Sequence, residues 1–245
     1  MKNFSILFLF AIGFLASFTA KAQTQNYISL YGGASIPTGQ FSNADYGTLH
    51  NENNKAGYAK TGATFGLDAA FYLHSNWAIG GVISYQDQGR LSQKDVQNLS
   101  AGYTDAFAVD ESTVTATKRY QNLNILVGPQ YSFVFSKLTL DLRAEAGLIK
   151  SFSTPELKVV LEDPTDPAQT FYQRSSTSSA FAYGASAGLR YRLGSSWGLN
   201  LKGSYIGSDG FDITNENRRI NAGRLVTKQS VSEIQTTLGL TFQLK

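Results

Sequence analysis

Few groups in this 245-residue chain could carry out chemistry: two histidines, 18 acids, 21 bases and the hydroxyls. His50 sits in Leu49-His50-Asn51-Glu52 with Ser42 and Asp45 upstream. A histidine near a hydroxyl and a carboxylate is the equipment of hydrolysis or acyl transfer. No fixed nucleophile-to-base spacing accompanies it, so His50 reads as a loop residue and no catalytic residue is assigned. His74 stands alone in a short turn segment. With no Cys, thiol nucleophiles, disulfides and Cys-ligated zinc are excluded. Glu156, Glu162, Asp163 and Asp166 alternate with Pro155, Pro164 and Pro167 but lack the spacing of a calcium loop, so they read as solvated turns. Neither a metal nor a cofactor is implied.

The other charges are more informative because of their spacing. Asp141, Arg143 and Glu145 lie two residues apart, which puts them on one face of a strand. Leu138, Leu140, Leu142, Ala144, Ala146 and Leu148 form the opposite, apolar face. The same period of two runs through Phe181, Tyr183, Ala185, Ala187, Leu189, Tyr191 and Leu193, and through Ile234, Thr236, Leu238, Leu240, Phe242 and Leu244. On the polar faces this register collects the acids Asp68, Asp141, Glu145 and Glu233 and the bases Arg143, Arg190, Arg192 and Lys202. Level ends would set Asp141 opposite Arg190. Buried charges must be paired, so mixed signs predict an ion-pair network filling the space they face; a proton or ion path through it is the alternative.

Eight strands account for the pattern: Asn26 to Pro37, Gly62 to Leu73, Trp77 to Gln88, Tyr120 to Phe135, Leu138 to Lys150, Ala180 to Leu193, Trp197 to Gly207 and Ser230 to Lys245. Gly32-Gly33 blurs the faces of the first, and Gly128-Pro129 predicts a local bulge or irregularity in the fourth. Connections alternate strictly. Long ones run over Thr38 to Thr61, Gly89 to Arg119, Ser151 to Ser179 and Ser208 to Gln229. Tight turns centre on His74-Ser75-Asn76, Ser136-Lys137 and Gly194-Ser195-Ser196. Loops beyond about 12–15 residues are uncommon in compact domains, whereas a transmembrane barrel has short periplasmic turns and long external loops. Trp77 and Trp197 follow tight turns directly and Phe133 and Phe135 precede one, as an interfacial girdle requires.

Residues 1–22 read as a secretory signal peptide: Lys2, an uncharged apolar run from Phe4 to Phe18, and Ala20-Lys21-Ala22 before Gln23. The run is short of the roughly 17–25 residues of a spanning helix. Residues 23–245 form the barrel domain. A net charge of +3 without basic runs excludes a nucleic-acid partner.

On these features the chain resembles the small eight-stranded outer-membrane β-barrels, the OmpA/OmpX-like "porin family", over essentially all of Gln23 to Lys245. Thr237, Gly239, Phe242 and Leu244 resemble that family's C-terminal assembly signal, although Lys245 stands where an aromatic residue is usual. The resemblance implies an all-β, antiparallel up-and-down barrel in the outer membrane, insertion by the barrel-assembly machinery, and contact with outer-membrane lipid and lipopolysaccharide. It also implies a non-enzymatic structural, surface-binding or envelope-complex accessory role, secretion complexes included. Related barrels also include lipid A-modifying enzymes and small channels for ions or hydrophobic solutes, which stay as alternatives. Arg90, Lys94, Lys118 and Arg119, at the roots of the second long loop, suit lipopolysaccharide phosphates or plain interfacial anchoring equally.

Overall fold

A computed structural model describes residues 25–49, 54–163, 166–213, 215–216 and 228–244. Eight antiparallel strands close into a barrel. In chain order they are β1 (Tyr27–Pro37), β2 (Lys60–His74), β3 (Trp77–Gly89), β5 (Gln121–Phe135), β6 (Leu138–Ser153), β9 (Ser179–Arg192), β10 (Trp197–Asp212) and β12 (Lys228–Gln243). Each pairs with its neighbour in this order, and β1 pairs with β12 to close the ring. Two chemically different environments drive the alternation along every strand. Leu30, Phe181 and Leu238, facing outward, are 60–65% exposed, while Asp68, Gln130 and Glu233, facing the lumen, are 0% exposed. Polar atoms fill the centre and apolar surface faces out, the inverse of a soluble domain.

The strand ends agree with the sequence reading to within a few residues, except that β10 runs on past Gly207 to Asp212. At Gly128-Pro129, where a bulge or irregularity is expected, there is no bulge, but neither residue has a ladder partner on β6. Ile79 opposes Pro129 and Gly80 opposes Gly128, and the β5–β6 register is the same on either side of the pair. Pro129 faces outward and simply omits its donor from the ladder. The register shift in β5 lies at Gln121/Asn122.

The long connections hold more structure than polar loops. The second and third contribute β4 (Glu111–Thr117), β7 (Glu156–Asp163) and β8 (Asp166–Gln173), and the fourth contributes β11 (Asn215–Glu216), in a second sheet ordered β11-β8-β7-β4. Beside it lies the 15-residue helix α2 (Gln93–Phe107), which follows the single-turn α1 (Gly39–Ser42) in chain order. A capping box starts α2: the Ser92 hydroxyl accepts from the Asp95 amide at 3.2 Å, and the Asp95 carboxylate accepts from the Ser92 amide at 2.8 Å. Leu99 and Tyr103 of α2 join Leu49, Tyr58, Val114, Leu157, Val159, Leu161 and Phe171 in an apolar core separate from the barrel. This platform stands on the loop end of the ring.

Candidate functional site

The lumen is the most highly organised polar region. Arg143, on β6, reaches across to β2, where its Nη2 and Nη1 lie 2.9 and 3.1 Å from the two carboxylate oxygens of Asp68. Lys202, from β10, donates to the same carboxylate at 2.5 Å. Arg143 also lies 3.4 Å from Glu145, which accepts from Ser186 at 3.1 Å. Arg190, on β9, holds Asp141 at 2.5 and 3.0 Å. The two groups are joined by neutral side chains: Gln130 accepts from Arg143 at 2.6 Å and donates to Tyr72 and Ser132, Ser132 donates to Asp141, and Arg190 stacks 3.9 Å over the Tyr27 ring. Three acids thus meet three bases in one connected network. The bidentate guanidinium contact is the geometry in which a buried pair best offsets its desolvation.

This packing needs a gap in the opposite wall, and Gly80 provides it. A Cβ there would stand 2.2 Å from Arg143 Nε and 2.4 Å from its Cζ. Gly239 is similarly constrained, since its Cβ would meet Leu30 O at 2.8 Å. Gly239 and Thr237 face the lumen, Phe242 faces outward, and Leu244 lies beyond the strand, its amide donating to Asn26 O at 2.7 Å.

Three placements differ from the sequence reading. Asp141 lies opposite Gly188 rather than Arg190, because β6 and β9 are offset by two residues; the guanidinium spans the diagonal. Arg192 is exposed at the turn end and donates to Ser136 O at 3.2 Å. Glu233 does not belong to the ion-pair network. It sits beside Pro37 and Ile206 near the loop end of the lumen, whereas Arg143 and Lys202 are drawn to Asp68 lower down. Its 0%-exposed carboxylate accepts from Ser35 at 3.0 Å, Gln88 at 3.1 Å, Gln235 at 2.8 Å and also from Gln86. Gln86 and Gln88 were missed because neutral amides do not stand out among charges; their alternation along β3 was the available signal.

Above Glu233 the mouth is covered. Phe41 of α1 is fully buried edge-on against Tyr120, with ring centroids 4.8 Å apart, and Phe211 and Val231 join the same apolar cluster. The Tyr120 hydroxyl donates to Gly57 O at 2.9 Å, fastening the first loop into the opening.

At the rim, Asp95 accepts from Lys60 at 2.8 Å and from the Tyr46 hydroxyl at 2.9 Å, tying α2 to the first loop and to β2. Burial pushes the Asp95 carboxyl up, but the bonds from Lys60, Ser92 and Tyr46 outweigh it and hold the group well below the usual carboxylate range. Among the four loop-root bases, Arg119 pairs with Asp87 and Lys118 with Glu156 at 3.2 Å, while Arg90 and Lys94 are exposed. His50 and Glu52 lie outside the described residues, as do residues 1–22. Asp45 is occupied by a turn, accepting from Thr48 Oγ1 at 2.7 Å. His74 is exposed at the turn end.

On the outer surface, Trp77 packs edge-on to Tyr131 at 5.0 Å, Tyr131 to Phe133 at 4.8 Å, and Trp197 to Phe242 at 5.1 Å. Phe135 ends the same strand as Phe133. A second aromatic group, Phe65, Tyr85 and Phe152, lies toward the loop end. A closed eight-stranded ring with an apolar outside, a polar inside and aromatics toward both ends is built to span an outer membrane. Residues 21–208 match the family model described as outer membrane protein beta-barrel domain. The chain belongs to that family. Membership places this barrel in the outer membrane, with its tight turns periplasmic and its platform outside. The last strand, beyond the matched residues, completes the ring.

Solved structures with similar folds include neisserial surface protein A (8% identity, TM-score 0.47, covering 90% of this chain and 98% of that one). Ail, the attachment invasion locus protein of Yersinia pestis, is another (12%, 0.40, 91% and 99%). The outer membrane protease OmpT of Escherichia coli is a third (10%, 0.40, 93% and 99%). No curated protein matches the chain in sequence.

Proposed function

We propose that this barrel is a non-enzymatic outer-membrane protein whose task is to present its external platform to a partner at the cell surface. The observation carrying this reading is the platform's own apolar core, from Leu49 through Phe171. Loops that only join strands need no such core, because burying apolar area is what fixes a surface in one shape. Thr113, Thr115 and Lys158 are exposed on the sheet, with Arg174 stacked 4.6 Å from the Tyr172 ring. The lumen supports the same reading against a channel: an eight-stranded interior is filled by side chains, and here a charge-balanced network lies below an aromatic lid. Exposed Arg90 and Lys94 suit lipopolysaccharide phosphates. Cleavage after Ala22, and handover of the mature chain to the barrel-assembly machinery through Thr237, Gly239, Phe242 and Leu244, complete the proposal.

The test uses photo-crosslinking residues in cells at Thr115 on the platform and at Lys137 in a periplasmic turn. Adducts to a macromolecule at Thr115 support surface presentation. Adducts at Lys137 alone overturn it in favour of a periplasm-facing accessory of an envelope complex. A lipid A mass spectrum that changes with His50→Ala, or stepwise conductance in planar bilayers, would replace it with the enzyme or channel reading.

A further inference from the structure

The inner network is neutral, with Asp68, Asp141 and Glu145 balanced by Arg143, Arg190 and Lys202. Glu233 is therefore left over. It is fully buried, and among the described residues no Lys, Arg or His lies within ion-pair distance of it. A second observation is independent of the charge. On β2, β3 and β5, facing the same end of the lumen, Gln86 Oε1, Gln88 Oε1, Asn122 Oδ1, Asn124 Oδ1 and Thr64 Oγ1 are buried without a hydrogen-bond partner, each in a side chain no more than 1% exposed. Thr64, Gln86 and Asn122 are direct cross-strand neighbours on β2, β3 and β5, and the Gln86 and Gln88 amides contact Glu233 itself.

Each unpartnered acceptor in a low-dielectric interior destabilises the fold. Of the unpartnered atoms in this group, all but Asn122 Nδ2 are oxygens. Lone pairs one amide away from an uncompensated carboxylate lack a positive charge and something to coordinate, and a single hard cation supplies both. One carboxylate with neutral amide and hydroxyl oxygens balances one positive charge. A divalent ion would leave a net charge in the lumen. We propose that the loop-end half of the lumen holds one dehydrated alkali-metal cation beside Glu233, which supplies the balancing charge through the Gln86 and Gln88 amides, while Gln86, Gln88, Asn122, Asn124 and Thr64 supply neutral oxygens as ligands. The aromatic lid of Phe41 and Tyr120 lies outside it and the inner network closes the way to the periplasm, so the ion is a captive part of the folded barrel.

The mature barrel is refolded into non-ionic detergent in sodium, potassium or choline chloride at equal ionic strength, and its melting is followed by circular dichroism. An ion bound only by the folded state raises the melting temperature in proportion to the logarithm of its concentration once that exceeds the dissociation constant. Wild type is expected to melt higher in sodium or potassium than in choline, and Glu233→Gln to melt equally in all three. A near-isosteric amide keeps the pocket's shape, so the variant folds. Should it fail to fold, thallium soaked into wild-type crystals gives the second reading, with an anomalous peak within coordination distance of Gln86 Oε1 or Asn122 Oδ1 expected. Equal wild-type melting in all salts, a salt difference that survives in Glu233→Gln, or an infrared protonated-carboxyl band lost in Glu233→Gln overturns the proposal. The last result would mean that a proton neutralises the acid.

Discussion

Replacing Arg143 with Met removes the central cation of the lumen while keeping most of its volume. Arg143 is 5% exposed and bonds both oxygens of Asp68, so its loss leaves three acids facing two bases in a space that water enters poorly. Stranding a buried charge costs about 3–5 kcal/mol. Lys202 and the Tyr27 hydroxyl remain on Asp68, at 2.5 and 3.0 Å, so the low end, about 3 kcal/mol, is expected. Asp68→Asn alone strands Arg143 beside Lys202 and should cost at least as much. The double variant restores neutrality, because Asp141 and Glu145 then face Arg190 and Lys202. It should unfold less readily than the sum of the single losses requires, with a coupling of about 1–3 kcal/mol. The assay is reversible urea unfolding of the barrel in detergent, read by the fluorescence of Trp77 and Trp197, the only tryptophans. At a slope of about 2 kcal/mol/M, the single variants should lose about 1.5 M of midpoint. Unchanged midpoints, or a double variant that merely adds the single losses, would refute the charge-balance argument.

Gly80→Ala places a methyl group where the Arg143 guanidinium lies, and should lower stability by about 1–3 kcal/mol; Arg143→Met in that background should add little. Titrating the barrel from neutral pH down to about pH 2 and following the α2 amides by nuclear magnetic resonance should show the platform loosening in acid. Because the folded-state pKa of Asp95 is depressed, its stabilisation is complete above the unfolded carboxylate value near pH 4, and it fades as pH falls toward the folded value. Asp95→Asn should lack that transition, and a variant that keeps it would move the cause elsewhere. Intact mass of protein from the outer-membrane fraction should correspond to a chain beginning at Gln23, and retention of residues 1–22 would contradict signal-peptide cleavage.

The barrel was legible because each strand separates lipid from lumen, so residue chemistry alternates with the backbone. Leu138 through Leu148, interleaved with Asp141, Arg143 and Glu145, could hardly be read otherwise. The platform was hidden by brevity. Glu111-Ser-Thr-Val-Thr-Ala-Thr is seven residues of modest apolarity, and Leu157, Val159 and Leu161 alternate over only five. The spacing of Ser92 and Asp95 marked the start of α2, but a helix inside a loop was not sought. Charges in the lumen were visible, but their partners depend on strand offset, which a tight turn leaves open by a residue or two. That is why Asp141 and Arg190 meet on a diagonal, and why Glu233, the right type on the right face, is at the wrong depth for a basic side chain.

Closure of the ring by β1 and β12 sets the order of events in folding. Tyr27 pairs with Gln243, roughly 200 residues along the chain, whereas β2 and β3 are joined by a tight turn. Bringing such distant ends together costs about 5 kcal/mol in loop entropy, and none of it is recovered until the last strand is in place. Until then the sheet is an open ribbon with two bare edges, each able to pair with any other strand. The barrel therefore passes from its most aggregation-prone form to one without edges in a single late step. A chain truncated before β12 would not be a slightly weaker barrel but a different object, a curled sheet that needs another strand to finish it.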